Sequence, residues 1–425
     1  MAATLLIVGI TLMIIFGVPV AISMALGSAV FILSKGIPEV VIVHQMFSGI
    51  DSFPLLAIPF FILAGSLMNS SAITDRIFNF ASHLFAWARG GICYVNIVAS
   101  VIFAGMSGAA VADAGGLGAI EIKAMRDRGY GDRLSVGLTA ASSIIGPLIP
   151  PSLPIIIFGF VANVSIGKLF IAGLVPGIIM AISLAVMVRF IAARQDLPKD
   201  GNFSFRTVGK SFNKASLALL TPIIIVGGIL GGIFTPTEAA VAAAAYALIL
   251  GMFIYRSLGV SDIWKVTKET GEMTASILFI VSAASIFSWI IKTERVAYDF
   301  SSMMFGVTDN YIVILLLINL LLLIIGCFLD AIAAITILTP ILLPVAVAAG
   351  VDPVQFGVIM VLNLMIGLLS PPLGIVLYVL SAVSGVSMKE TIRGTLPFLV
   401  PLLITLMIVT FVPAVSLWLP EALGF

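Results

Sequence analysis

Two long apolar segments of this chain are interrupted by the same short pattern. Ile145-Gly146-Pro147-Leu148-Ile149-Pro150-Pro151 returns 221 positions later as Ile366-Gly367-Leu368-Leu369-Ser370-Pro371-Pro372, with five of seven positions identical. Gly105 and Gly326, each in an earlier apolar stretch, share that offset. Proline inside a helix removes a donor and leaves a carbonyl of the preceding turn without a partner. Glycine permits a sharp turn and a close approach. One such break reads as an ordinary kink. The same break twice predicts an internal repeat built around two interrupted helices.

Composition places those breaks in a membrane. The 425 residues are 61% hydrophobic and 10% charged, with a mean hydropathy of +1.24, against roughly 25% charged in a soluble domain. In hydrocarbon every backbone polar group must be satisfied, so irregular backbone at membrane depth survives only inside protein or along a watery cavity. A duplicated pair of broken helices is a sequence pointer to a transporter's binding site. Other chemistries are excluded. The net charge of +1 gives no support for nucleic acid binding, and His44 and His83 are too few and too far apart for a catalytic triad or zinc site. No Walker A pattern is present, so transport must draw on an ion gradient or a partner. Cys93 and Cys327 read as small core residues rather than a disulfide.

Candidate spans are 3–16, 18–34, 53–68, 134–162 (broken), 169–190, 216–234, 238–255, 273–291, 355–385 (broken) and 396–418, with residues 1–34 forming one bent span or two. Stretches 92–120 and 311–349 read as re-entrant hairpins. The charges orient them. Arg76, His83 and Arg89 precede the first hairpin and Lys123, Arg126, Arg128 and Arg133 follow it, which puts both flanks in the cytoplasm. Around the second, Lys292 and Arg295 are offset by Glu294, Asp299 and Asp309, so it enters from outside. The expected fold is an all-α polytopic membrane protein. It is an inverted repeat of five spans and one hairpin per half: residues 1–190, a cytoplasmic linker 191–215, and residues 216–425. Amphipathic segments 70–91 (Ile73, Ile77, Leu84, Trp87) and 293–310 (Val296, Phe300, Met303, Val307) read as interfacial helices or as packed loop helices.

The polar residues cluster at the breaks. The first hairpin tip carries Gly105, Ser107 and then Asp113; the second carries Gly326, Asp330, Thr336 and Thr339. A charge at mid-membrane costs at least roughly 2.5–3.5 kcal/mol. No basic residue close in sequence can pair with Asp330, so a bound cation is the simplest partner, a protonated carboxyl the alternative. Asp113 follows the same logic with less force. Ser142 and Ser143 in the first broken helix, and Asn363 at Ser142's repeat position, stand a turn before Gly146 and Gly367. There a side-chain oxygen joins a cage of free carbonyls, unless the serines bond their own helix. Half-helix N-termini at the breaks suit a carboxylate, which puts substrate near Ser107, Pro150, Pro151, Pro371 and Pro372. Glu238, after Thr235-Pro236-Thr237, reads as a helix cap.

The stretches FAGMSGAAVADAGGLG (103–118), ASSIIGPLIPPS (141–152) and LSPPLG (369–374) resemble the large membrane subunit of TRAP transporters, the tripartite ATP-independent periplasmic family, and the resemblance runs essentially end to end. It implies a multi-pass subunit of the bacterial inner membrane that imports an organic acid with sodium as coupling ion, no other metal and no cofactor. It implies an elevator-like transport domain with two hairpins moving against a scaffold, and a large subunit separate from its small one. The implied partners are a four-helix small membrane subunit and a periplasmic substrate-binding protein. By position, one sodium site draws on Gly105, Ser107, Asp113, Ser142, Ser143 and Gly146. The other draws on Gly326, Asp330, Thr336, Thr339, Asn363 and Gly367. Sialic acid is favoured over a C4-dicarboxylate. Two other readings stay open: a stand-alone divalent-anion/sodium symporter or sodium/proton exchanger, and a non-transporting scaffold or intramembrane enzyme.

Overall fold

The computed structural model describes residues 2–424 except 72, 86, 196, 198 and 200–203; the side chains of residues 2–4 and of Ser107 also lie outside the described set. Among the described residues there is no β-strand, only an isolated bridge between Arg89 and Lys199. Helices α1 (Ala2–Ile15) and α2 (Val20–Ser34) fold back on each other around Gly17, whose φ is +85°. Ile10 occupies the space a side chain at Gly27 would need. Residues 2–34 therefore make two helices rather than one bent span. An unexpected short helix, α3 (Val40–Ile50), precedes α4 (Ala57–Ser70) and the amphipathic α5 (Ile73–Phe85). The first hairpin is α6 (Gly91–Ser107), α7 (Ala110–Gly115) and α8 (Leu117–Asp127). The first broken helix is α9 (Asp132–Ser143) and α10 (Leu153–Ala162), and α11 (Ile166–Gln195) closes the half.

In the second half, α12 (Phe205–Pro222) continues through a π turn into α13 (Gly228–Leu230). Pro222 lacks the N–H a regular turn would use there, and a single wide turn absorbs the defect. Because α12 starts at Phe205, the basic residues 206–214 lie on a helix rather than in the connection. Then come α14 (Pro236–Ile249), α15 (Val260–Thr293), α16 (Val296–Val307) and the second hairpin, α17 (Tyr311–Gly326) with α18 (Ala331–Ala348). The second broken helix is α19 (Pro353–Gly367) with α20 (Ile375–Ser384), followed by α21 (Met388–Phe411) and α22 (Ala414–Ala422). The order hairpin, broken helix, long helix thus occurs twice. Among the described residues, seven helical segments are long and apolar enough to cross a membrane, and the broken helices are shorter apolar pieces. Glu238 caps α14 as expected: Thr235 N donates to its Oε2 at 2.8 Å and Glu238 N donates to Thr235 Oγ1 at 3.3 Å.

Two groups of helices result. In one, α3 and α4 pack on α14 and α15: Ser282 Oγ donates to Met46 O at 3.0 Å and Thr237 Oγ1 to Phe53 O at 3.3 Å. In the other, the repeats exchange arms. α10 lies against α18 and α19, with Phe158 and Phe356 rings 6.2 Å apart. α20 lies against α7 and α8, with Val379 and Leu380 over Gly115 and Gly118. Each break thereby delivers its second half-helix onto the hairpin of the other repeat. Where α9 crosses α21, a Cβ on Gly137 would fall 2.0 Å from Gly394 O, and Arg133 pairs with Glu390 beside it.

The amphipathic segments join these groups. In α5, Ile73 and Ile77 are buried and Arg76 stacks on Tyr255 at 4.0 Å while donating to Lys214 O; Trp87 is exposed. In α16 the buried residue is Met304, whereas Met303 and Val307 are exposed. That face is rotated from the expected one because α16 packs on α18.

The α9–α21 crossing generates a stability prediction. Gly137→Ala should destabilise by about 1–3 kcal/mol through overpacking, read as a lower Tm in detergent. Gly271→Ala, where nothing lies within 4 Å, should be neutral or slightly stabilising.

Candidate functional site

The first break, 144–152, is wholly buried, Pro150 and Pro151 included. Its backbone is held by local donors. Ile145 N bonds Ser142 O, Leu148 N bonds Ile145 O, and Ser152 caps α10 by accepting from Ile155 N while its hydroxyl donates to Pro147 O. Both Pro-Pro bonds, 150–151 and 371–372, are cis. The hairpin tip is pressed onto this break. Gly108, at φ +61°, would put a Cβ 2.2 Å from Pro151 O, and its carbonyl accepts from Leu153 N at 3.3 Å. Asp113, on α7, is 1% exposed, and a Cβ on Gly146 would fall 2.2 Å from its Oδ2. A buried carboxylate thus rests on the bare backbone of a helix break, an arrangement of hard oxygen and helix ends that fits a small cation.

The structure brings some of the other expected first-site residues to this place. Ser142 Oγ donates to Asn96 Oδ1 at 2.7 Å, and Asn96 Nδ2 to Thr139 Oγ1 at 2.7 Å. Ser143 Oγ donates to Ala140 O on its own helix. Ser107 ends α6, and its side chain lies outside the described residues. Gly105 is not at the break. It packs on α12, where a Cβ would fall 2.5 Å from Pro222. The close approach to the break belongs to Gly108, because α6 stays helical to Ser107 and turns only afterwards.

The second site is built differently. Gly367 and Gly326 meet backbone to backbone: a Cβ on Gly367 would lie 2.6 Å from Gly326 Cα. Asn363, fully buried, donates to Asn319 Oδ1 at 2.8 Å and to Ile359 O at 2.9 Å, and Asn319 donates on to Thr410 at 3.0 Å. Asn363 Oδ1 has no hydrogen-bond partner among the described residues. Thr336 bonds Ala333 O, and Thr339 Oγ1 lies 3.3 Å from Met360 Sδ; both are buried. Pro371 and Pro372 are exposed, unlike their repeat partners. Asp330 is exposed and caps α18, accepting from Ile332 N at 2.9 Å. The sequence ranked Asp330 above Asp113 as the carboxylate in need of a counter-charge. In the structure Asp330 caps α18 at an exposed position, and Asp113 is the enclosed one.

Four polar residues escaped the sequence reading. Asn96 and Asn319 stand alone among apolar residues in the first arms of the two hairpins, a signal comparable to that of Asn363. Glu121 lies one residue beyond the expected hairpin; it is 1% exposed, with Ser100 Oγ 3.5 Å from its Oε1. Asn69, on α4, lies beside Gly116, whose added Cβ would be 2.6 Å from Asn69 Nδ2. With Ser66, Ala109, Ala112 and Leu153 it lines a cleft of about 70 Å³ between α4 and the first tip.

Two hairpins, two broken helices and buried polar groups at both breaks describe a translocation protein. The family model for the DctM component of tripartite ATP-independent periplasmic transporters matches residues 7–415. The chain belongs to this family. It is 48% identical over 408 residues to the sialic acid TRAP transporter large permease protein SiaM of Vibrio cholerae, covering 95% of each chain. It is 43% identical to the sialic acid TRAP transporter permease protein SiaT of Haemophilus influenzae, covering 89% of this chain and 62% of that one. It is 39% identical to the C4-dicarboxylate TRAP transporter large permease protein DctM of Pseudomonas aeruginosa, covering 89% of each. The fold is similar to the crystal structure of the Alcanivorax borkumensis YdaH transporter, with a TM-score of 0.63 at 14% identity over 90% of this chain and 87% of the other. The chain is thus a multi-pass TRAP large permease subunit, and the relatives it matches are permeases rather than enzymes.

The Asp113–Gly146 contact predicts a measurable coupling. Gly146→Ala should lower stability by about 1–3 kcal/mol. Adding Asp113→Ala should recover part of that loss, giving an interaction energy of about 0.5–3 kcal/mol in a double-mutant cycle. Strict additivity in thermal unfolding would show that the two residues do not meet.

Proposed function

We propose that this subunit drives import of an organic acid, most closely a sialic acid, by coupling it to sodium entering at the two breaks. The observation that carries the reading is the Asp113 carboxylate, 1% exposed, set against Gly146 in a break whose every residue is buried. A carboxylate enclosed against bare backbone can ligate a small cation together with backbone oxygens of the break. The second ion would use the Gly326–Gly367 junction, the Asn363 oxygen and Asp330. With ions in place the tips and breaks are fixed, and the substrate anion is bound between them, beside Ser107, the two Pro-Pro corners and the Asn69 cleft. Sodium and substrate must then raise each other's affinity by the same factor.

The group made of the hairpins, broken helices, α11 and α21 would move as one body against α1–α4 and α12–α15. A small membrane subunit and a periplasmic binding protein complete the system in the inner membrane. The identity to SiaM and SiaT supports sialic acid over a C4-dicarboxylate as cargo.

Reconstitution with small subunit and binding protein tests this. Labelled sialic acid should accumulate only under an inward sodium gradient, and Asp113→Ala should cut uptake by at least roughly 100-fold, the loss expected when one partner of a buried charge pair is removed. Uptake without any binding protein would instead indicate a stand-alone symporter. Asp330→Asn keeps a good helix cap while removing the charge. It should raise the sodium concentration for half-maximal uptake; an unchanged value would reduce Asp330 to a cap.

A further inference from the structure

A cavity of about 510 Å³ opens far from both breaks, where the end of α5 and the start of α6 meet the end of α11 and the connection that follows it. Its lining is Phe85, Trp87, Ala88, Arg89, Tyr94, Arg189 and Lys199. The three cations come from three separate segments, and the bridge between Arg89 and Lys199 holds two of those segments together. The connecting sequence also contains Asp196 and Asp200, but Arg194, Arg206, Lys210 and Lys214 leave the neighbourhood strongly basic. By the charge pattern of the chain this end is cytoplasmic. The aromatic side chains are those that favour the headgroup level: Trp87 is 54% exposed, and its indole N–H is already used by Leu84 O at 3.1 Å.

A second observation says what kind of molecule fits. Arg189 stands at the cytoplasmic end of an exposed apolar stripe on α11, formed by Ile178, Ile182, Val186 and Phe190 at 49%, 57%, 50% and 62% exposure. Spacing of four keeps them on one helical face, running from the cavity into the depth of the bilayer. A cationic pocket continuous with an apolar stripe matches an anionic headgroup followed by its acyl chains. Basic pockets beside cytoplasmic helix ends are where such lipids are held.

We propose that this cavity binds the phosphate headgroup of an anionic phospholipid, with Arg189 and Lys199 as its main charge partners and the α11 stripe as the bed of its acyl chains. The site sits where α11 leads into the connection to α12, so an occupied cavity ties that corner to the inner leaflet. A variant with Trp264→Phe, Trp289→Phe and Trp418→Phe keeps Trp87 as the sole tryptophan and reports directly. In phosphatidylcholine vesicles, a minor fraction of brominated phosphatidylglycerol should quench Trp87 well above the same fraction of brominated phosphatidylcholine. Two lysine or arginine charges imply a preference of roughly tenfold or more. Adding Arg189→Gln and Lys199→Gln should abolish the preference, whereas Arg189→Lys with Lys199→Arg should keep it. Equal quenching by both lipids, or a preference that survives the glutamine pair, would overturn the proposal. So would loss of the excess quenching on adding inorganic phosphate, which would make the ligand a free anion.

Discussion

Hydrocarbon cannot solvate a peptide group, and this chain breaks two helices where hydrocarbon would surround them. Everything near the breaks follows from the need to enclose that backbone in protein. Prolines at 147, 150 and 151 lower the number of donors to be satisfied, Ser152 bridges the gap, and the tip glycine Gly108 closes onto Pro151 and Leu153. Exchange of half-helices between repeats completes the enclosure, since α10 and α20 each cover the opposite hairpin. An enclosure made from backbone oxygens and helix ends, with a carboxylate inside it, offers the ligands that the proposed sodium site requires. Under the proposed function, the structural solution and the transport chemistry are the same object.

The two repeats solve the problem unequally. The first buries its Pro-Pro corner and presses a carboxylate on the glycine; the second leaves its corner exposed and joins two glycines backbone to backbone. Asp113 and Asp330 consequently do different work. Asp113 stands in the first turn of the short α7 with its side chain enclosed against Gly146, whereas Asp330 is exposed and accepts from the N–H of Ile332 as the cap of α18. Paired asparagine links, Asn96 to Ser142 and Asn319 to Asn363, fasten each hairpin to its own broken helix in both halves. The symmetry thus survives in the fastening and is lost at the breaks' carboxylates and Pro-Pro corners.

Much of this was legible in the sequence because the relevant signals are local. Broken helices announce themselves through Gly and Pro-Pro, hairpins through a polar tip in an apolar stretch, and the Glu238 cap through Thr three residues before it. What was not legible depends on contacts between distant segments. No local rule says that Gly105 meets Pro222 while Gly108 meets Pro151, or that α16 turns Met304 rather than Met303 inward. From the sequence, Asp330 is the acid without a basic neighbour because a cap depends on where α18 begins, and the contact of Asp113 with Gly146, 33 positions away, is a long-range one that no local pattern shows. Single asparagines in apolar arms are a further sequence signal, since an amide inside a membrane helix needs a partner as surely as a break does.

If the Asp113–Gly146 junction is a sodium site of the folded protein, sodium raises the protein's stability, and that can be read without transport, binding protein or substrate. Thermal unfolding would be followed as NaCl replaces KCl at constant ionic strength, in the unmodified chain and in Asp113→Asn. A ligand that binds only the folded state stabilises by about 2.7 kcal/mol at 100 times its Kd, so Tm should climb with sodium in the first protein and climb far less in the second. An identical sodium-dependent rise in both would contradict the account.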